Sequence, residues 1–156
     1  MADDSCRDSN RGIQEAADDQ RRRLFRHGFA LFLLGLLTGL AEQHFTNVRM
    51  GLAAHLEGVM NGTFLIAVGA AWDQINLTAR VKTAAYWILL AGTYGNWLVT
   101  MLAAILGTAA LSPITAAGHG ASALQESVVT FGFVAIGLAI IAGVSLALFG
   151  LRPKRS

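Results

Sequence analysis

The chain has 156 residues, of which 54% are hydrophobic and only 14% charged, and its mean hydropathy is +0.50. Soluble domains average about 25% charged residues, so the composition predicts an integral membrane protein. A single cysteine, Cys6, excludes an intrachain disulfide framework and a cysteine-based metal site. The formal net charge is only +2, yet more than half of all charged side chains fall within residues 1–26.

Residues 1–23 form a polar, strongly charged segment ahead of the first apolar stretch. This segment has neither the apolar core nor the small-residue cleavage site of a signal peptide, so we expect the first apolar stretch to be retained. Ile13, Ala16 and Ala17 recur at helical spacing, which allows a short interfacial helix. The alternative is a solvated tail whose arginines set the membrane topology.

Four apolar segments are long enough to cross a bilayer, which takes about 20 residues. They are predicted at residues 24–41, 48–72, 83–106 and 127–151. The chain is therefore predicted to be an all-α integral membrane protein, with a four-helix bundle over residues 24–151 and a basic tail at 152–156. Residues 107–126 are rich in small residues and contain Pro113, which is typical of a loop between spans.

The distribution of Lys and Arg predicts how the spans are oriented. An even number of spans places eleven of the twelve basic side chains on one side and only Arg49 on the other. The positive-inside rule then puts both termini in the cytoplasm. Trp72, Tyr86 and Trp87 lie near span ends and are expected in the aromatic belts of the interface.

Small residues recur at four-residue spacing in the first two spans. The pairs are Gly35 with Gly39 and Gly58 with Gly62. Small-xxx-small faces allow helix backbones to approach closely in lipid. This pattern predicts helix packing and carries no chemistry.

The second span contains three polar residues, His55, Glu57 and Asn61. Ionisable groups within spans are costly, so they default to functional hypotheses. His55 is expected about 10 Å deep, with Asn61 near mid-membrane. Glu57 and Asn61 share one helical face, while His55 lies about 120° from Asn61. The two faces should therefore meet different neighbours, one within the chain and the other in a second subunit.

The third span carries a second polar cluster, which consists of Thr93, Tyr94, Asn96, Trp97 and Thr100. Asn96 is expected at the depth of the span-two histidine, which predicts a single site in the outer half of the membrane. A lone histidine cannot build a zinc site, but one axial histidine suffices for haem. The alternative is an interhelical hydrogen-bond network that only joins the helices.

The remaining histidines are expected outside that site. His27 follows Arg26 near the start of span one and is expected to extend to the cytoplasmic interface. His44 and His119 are expected in external loops.

The run RMGLAAHLEGVMNGTF at 49–64, with RHG at 26–28 and LLGLLTGL at 33–40, resembles the hydroxylaminobenzene mutases. These are small bacterial membrane proteins of nitroarene degradation. More distantly, the chain resembles the styrene oxide isomerases. The shared pattern is HG at the start of span one, His-x5-Asn-Gly in span two and Asn96 in span three. The resemblance covers roughly residues 20–105, whereas span four matches only in hydrophobicity.

The resemblance implies an activity, a cofactor and an assembly. The activity is conversion of phenylhydroxylamine to 2-aminophenol by intramolecular hydroxyl transfer. The styrene oxide isomerases are homotrimers with haem b at subunit interfaces, so His55 is expected as the axial iron ligand. Asn61 matches an asparagine near the substrate oxygen. Two departures favour the mutase: Thr100 stands where the isomerases have a tyrosine, and Glu57 where they have a small residue.

We therefore predict catalytic roles for Glu57, Asn61 and Asn96, with ferric haem as a Lewis acid. Glu57 would stabilise positive charge or transfer a proton, and the asparagines would orient the hydroxyl. The substrate pocket is predicted to be lined by Tyr94, Trp97 and Thr100. Expected partners are the lipid bilayer, a small aromatic hydroxylamine and two further copies of the chain, but no nucleic acid. Two alternatives stay open: an epoxide isomerase, and a non-catalytic membrane assembly subunit.

Overall fold

In a computed structural model, residues 2–153 are described, with side chains from Asp18 to Pro153. The side chains of Cys6, Ile13, Ala16 and Ala17, and residues Lys154 and Arg155 of the tail, lie outside the described part. The described chain is all-helical, with helices α1 (Ala2–Ala41), α2 (Val48–Ala71), α3 (Ala79–Leu106), α4 (Pro113–Ala116) and α5 (Ala123–Gly150). Short 3-10 turns at Glu42–His44 and Trp72–Gln74 follow α1 and α2.

Four of these helices, α1, α2, α3 and α5, are long and apolar enough to cross a membrane. This confirms the prediction of four spans. The N-terminal segment, however, has no break from span one, because a single helix runs from Ala2 through Ala41. The structure thus has no secondary-structure boundary at the predicted junction near residue 24.

The ends of the helices follow from local capping signals. The Asn47 side chain accepts a 3.1 Å hydrogen bond from the Met50 backbone N–H and starts α2. Ser122 and Gln125 form a capping box that starts α5. Gly107 ends α3 in the left-handed region, at φ +68°, which glycine adopts without strain. Gly107 and Ser122 thus mark the two ends of the segment that connects α3 to α5.

Helices α1 and α2 pack backbone to backbone along the predicted small residues. A Cβ atom on Gly35 would lie 2.5 Å from the Val59 nitrogen, and one on Gly62 would lie 2.5 Å from the Phe32 nitrogen. No real Cβ atom tolerates such a distance to backbone, so each helix needs glycine where it crosses the other. The close-packing prediction is confirmed, with Gly28 as an additional member, since a Cβ atom there would lie 2.9 Å from the Gly62 carbonyl oxygen.

We expect Gly62→Ala to destabilise the protein, because its new methyl group meets the α1 backbone. Overpacking of this kind costs about 1–3 kcal/mol and should lower the thermal midpoint in detergent by roughly 5 °C. The matched control is Gly137→Ala on α5, where an added Cβ atom has no neighbour within 4 Å. Equal midpoints for the two variants, measured by tryptophan fluorescence, would contradict the close-packing assignment.

The four spans pack side by side in an open arrangement. Helix α2 packs against both α1 and α3, while α5 packs along α3. Within the described residues, α5 makes no extensive backbone contact with α1 or α2. Most large side chains of α5 are exposed, so its surroundings must be lipid or other subunits. The sequence did not predict which helices pack together, because apolar composition alone does not say whether lipid or protein covers a helix.

The ends of α1, α2, α3 and α5 meet in a buried apolar cluster. Its members include Leu24, Leu65, Trp72, Tyr86 and Leu89. Trp72 is fully buried and Tyr86 is only 2% exposed, so neither lies in an interfacial aromatic belt as predicted. Only Trp87, at 59% exposure, is placed as a belt residue would be. The prediction failed because Trp72 and Tyr86 pack edge to face between helices, with their ring centroids 6.2 Å apart.

Candidate functional site

The polar residues of the second and third spans meet around the Glu57 carboxylate. The Asn61 Nδ2 atom donates a 3.0 Å hydrogen bond to Glu57 Oε2 from one turn further along α2. Asn96 Nδ2 of α3 donates to the same oxygen. Among the described residues, no donor bonds the other oxygen, Oε1. The structure thus joins all three residues predicted to be catalytic into one carboxylate–diamide cluster, which we call the Glu57 cluster.

His55 lies on the opposite side of α2, against α1. Its Nδ1 atom is 2.8 Å from the carbonyl oxygen of Gly35. A Cβ atom on Gly39 would lie 2.7 Å from the same nitrogen, so the glycine makes room for the ring. The hydrogen bond to the carbonyl requires a proton on Nδ1 and leaves Nε2 with its lone pair. This arrangement is the one by which proteins orient a metal-binding histidine.

The structure separates His55 from the Glu57 cluster within one chain. Two positions along a helix correspond to about 200° of rotation. Accordingly, His55 contacts α1, while Glu57 contacts α3. The prediction that the two faces of α2 meet different neighbours is confirmed, but both neighbours belong to the same chain. A second subunit at one of the faces stays a prediction. From depth alone, the sequence predicted that the polar residues of spans two and three form a single site. Within one chain only the Glu57 cluster forms, without His55, because depth does not specify the direction in which a side chain points.

Trp97 and Thr100 stabilise the helices around the cluster. The Trp97 indole nitrogen donates a 3.1 Å hydrogen bond to the Thr38 hydroxyl of α1. A Cβ atom on Gly58 would lie 3.0 Å from Cδ1 of the same indole ring, so the ring packs against this glycine. Thr100 is buried next to Asn96, and its hydroxyl donates to the Asn96 carbonyl oxygen at 2.8 Å. Thr100 therefore offers no free hydroxyl donor, and its contribution to a substrate pocket is its shape.

Tyr94 is turned away from the Glu57 cluster. Its hydroxyl donates a 3.2 Å hydrogen bond to the His27 carbonyl oxygen and lies 3.3 Å from His27 Nδ1. The two rings pack edge to face at 5.8 Å. Since Tyr94 precedes Asn96 by two residues, it points to the opposite side of α3. The prediction that Tyr94 lines the same pocket as Trp97 and Thr100 is thus not met within one chain.

His27 does not extend to the interface as predicted. It is half-buried and faces Tyr94 between α1 and α3. Gln20 is level with Thr83, because their side chains share a 3.2 Å hydrogen bond. His27 follows seven residues later, about 10 Å deeper. The position of His27 is thus defined by its contact with Tyr94 on α3.

Sequence reasoning missed two other features. One is Thr38, which accepts the hydrogen bond from Trp97. The other is that Gly35 and Gly39 contact the His55 ring. The glycines were assigned only to helix packing, and nothing in their spacing indicates which ring they face. His44 and His119 lie exposed in loops, as predicted. Asn47 joins its loop to the one after α3, because its side chain donates to the Thr115 and Ala116 carbonyl oxygens.

Comparison with known proteins assigns the chain to a family. A family model described as styrene oxide isomerase matches residues 20–152. Hydroxylaminobenzene mutase HabB of Ectopseudomonas oleovorans is 46% identical over 132 residues, covering 84% of this chain and 80% of that protein. Hydroxylaminobenzene mutase HabA of the same organism is 43% identical over 129 residues, covering 82% and 96%. No solved structure matches the chain.

These names agree with the resemblance seen in the sequence. Both relatives are named as mutases, and the family name is that of an isomerase. Enzymes of both kinds rearrange atoms within one substrate molecule, so the chain is an isomerase. The matched region begins within α1 and includes α2, α3 and α5, hence all four spans. The chain belongs to the styrene oxide isomerase family.

Proposed function

We propose that the chain is a hydroxylaminobenzene mutase, which converts phenylhydroxylamine to 2-aminophenol within the membrane. The observation that carries this proposal is the Glu57 cluster, in which a carboxylate and two amides from two spans meet at one point. The names of the two relatives support the substrate class. Phenylhydroxylamine is small and largely apolar, so it can reach the site through the bilayer.

The proposed reaction needs one group that transfers a proton and other groups that orient the hydroxyl of the substrate. The rearrangement breaks the N–O bond and forms a C–O bond at the ortho carbon. The ortho proton leaves and nitrogen gains one, so atoms and electrons balance. Glu57 Oε1, which no described donor occupies, takes the ortho proton and returns it to nitrogen. Asn61 and Asn96 hold the other oxygen and each keep a second N–H for the substrate oxygen.

His55 would hold the iron of haem b, the cofactor that the resemblance implies. Its Nδ1 atom is engaged by the Gly35 carbonyl oxygen, which leaves Nε2 as the ligating atom. One histidine suffices for haem, and among the described residues no group of three metal-ligating side chains offers a different metal site. His55 would hold a ferric haem there, and the chemistry supplied would be that of a Lewis acid for the N–O group, without net electron transfer.

We propose that the complete site combines two copies of the chain. His55 and Glu57 bound the two edges of an exposed apolar row on α2, formed by Leu52, Leu56 and Met60. A neighbouring subunit that covers this row reaches both edges. The two edges differ, so contact between His55 of one copy and Glu57 of the next is heterologous, the type of contact that builds a ring when the rotation between copies closes. The homotrimer expected from the resemblance is such a ring.

We also propose that both termini lie in the cytoplasm of a bacterial cell, with the protein in its inner membrane. The hydrogen bonds from Gln20 to Thr83 and from the Asn76 N–H to the Gly150 carbonyl oxygen bring the start of span one, the α2–α3 turn and the end of α5 to one side. That side carries nearly all of the basic residues, which favours the cytoplasm.

The assay offers phenylhydroxylamine and styrene oxide in parallel to protein purified in detergent. We expect 2-aminophenol to form from phenylhydroxylamine at a rate at least tenfold above conversion of styrene oxide, since the Glu57 cluster provides for proton transfer. Chromatography quantifies both products, and boiled protein is the control. No 2-aminophenol from pigmented protein would contradict the proposal.

Epoxide isomerisation is the second candidate, because the matching family model is named for styrene oxide isomerase. The same assay separates the two activities. Faster conversion of styrene oxide than of phenylhydroxylamine would assign the chain to the epoxide reaction. A stable assembly without pigment that converts neither substrate would favour the third reading, a non-catalytic membrane subunit.

A further inference from the structure

A groove at the inner end of α1 and α3 lies apart from the Glu57 cluster. It consists of two adjoining cavities that share His27. One has a volume of about 360 Å³ and is lined by Arg23, Arg26, His27 and Ala30. The other has a volume of about 470 Å³ and is lined by His27, Trp87, Leu90, Ala91 and Tyr94. We call the whole the inner groove, and it has one cationic end and one apolar end.

We propose that the inner groove binds one anionic phospholipid, with its phosphate at Arg23 and Arg26 and an acyl chain along Trp87, Leu90 and Ala91. Basic pockets between spans at the cytoplasmic side are where anionic headgroups bind. The apolar part suits an acyl chain, because Leu90 forms its buried wall while Ala91 and Trp87 remain exposed.

The depth of the arginines supports a phosphate rather than water as their partner. Gln20 and Thr83 mark one level through their hydrogen bond. Arg26 follows Gln20 by six residues, about 9 Å deeper along α1. A guanidinium on that turn reaches the headgroup level by extending along the helix, and phosphate is the anion present there. Trp87 follows Thr83 by four residues, about 6 Å deeper along α3, and lines the adjoining cavity with His27.

The charges around the cationic end leave room for an anionic ligand. Arg23 pairs with Asp19 at 2.7 Å, but both side chains are more than half exposed, so the pair is weak. Among the described side chains, no carboxylate lies within the 4.0 Å salt-bridge distance of Arg26. His27 lines both cavities and is fixed by its contacts with Tyr94, so it forms part of the wall of the groove.

The test is native mass spectrometry of the detergent-purified chain titrated with two lipids that share the same acyl chains, phosphatidylglycerol and phosphatidylcholine. We expect one phosphatidylglycerol to bind at least tenfold more tightly than phosphatidylcholine. Removing both guanidinium groups in Arg23→Gln with Arg26→Gln should weaken phosphatidylglycerol binding roughly thirtyfold. Ala91→Trp should weaken both lipids, because it fills the apolar part.

Arg80→Gln is the matched control, since it removes an exposed arginine at the same end but outside the groove. Equal binding of the two lipids to the unaltered protein would overturn the proposal, and this comparison does not depend on a variant that folds. A loss with Arg80→Gln as large as with Arg26→Gln alone would also overturn it, by showing unspecific attraction. So would displacement of the lipid by phenylhydroxylamine, or a change of oligomeric state with Ala91→Trp in place of weaker lipid binding.

Discussion

Glu57→Gln is expected to reduce conversion of phenylhydroxylamine about 10²–10⁴-fold, the usual contribution of a positioned general base. Glutamine keeps the size of the side chain and offers an oxygen to Asn61 and Asn96, so the α2–α3 contact should persist. What it removes is the proton acceptor. Product formation and the thermal midpoint are measured together, and only the first should change.

Glu42→Gln is the matched control, because it makes the same chemical change in the turn after α1, outside the Glu57 cluster. Asn96→Ala should give an intermediate loss of roughly 10–100-fold, since it removes one charge-assisted hydrogen bond. Full turnover in Glu57→Gln would exclude the carboxylate from the reaction and leave the cluster as a link between helices.

His55→Ala is expected to abolish both the Soret absorption band of the purified protein and its activity, because the proposed iron ligand is removed. His44→Ala in an exposed turn should retain both. Gly39→Val tests the packing around the His55 ring without changing His55 itself. An added Cβ atom there lies 2.7 Å from His55 Nδ1, so the ring must shift and pigment should fall. An unaltered protein without a Soret band, or an unchanged band in His55→Ala, would exclude haem at this position.

The two inactive variants together test whether the site combines two copies. When His55→Ala and Glu57→Gln chains are co-expressed with different tags, mixed assemblies contain some interfaces with both residues intact. In a ring with random mixing, such interfaces make up roughly a quarter of the total, which sets the expected recovery of activity. If verified mixed assemblies recover no activity, His55 and Glu57 of one site must come from the same chain.

Much of the fold was predictable because each span carries its own signal. The predicted second and third spans, 48–72 and 83–106, closely match α2 and α3, since hydrophobicity and caps such as Asn47 act locally. The charged segment was harder to assign. Nothing local ends the helix there, and α1 runs from Ala2 through Ala41.

The site was predictable in part. Glu57 and Asn61 share a face by helical geometry alone, and the structure bonds them. That Asn96 reaches the same oxygen depends on how α2 and α3 face each other. Tyr94 shows the limit of this reasoning, because its position in the polar cluster of span three suggested a shared pocket. Two residues of offset turn it towards His27 instead.

The sequence by itself determined the class of protein, the four spans, the close approach at the glycines and the polar residues worth testing. These follow from composition and periodicity, which are properties of each segment alone. Only the tertiary structure decided that α5 lies outermost against α3, that Trp72 and Tyr86 are buried, and that His55 faces α1 while Glu57 faces α3. The physical reason is that lipid and protein interior are equally apolar, so hydrophobicity does not select a helix's neighbours. Packing and hydrogen bonds between particular side chains do.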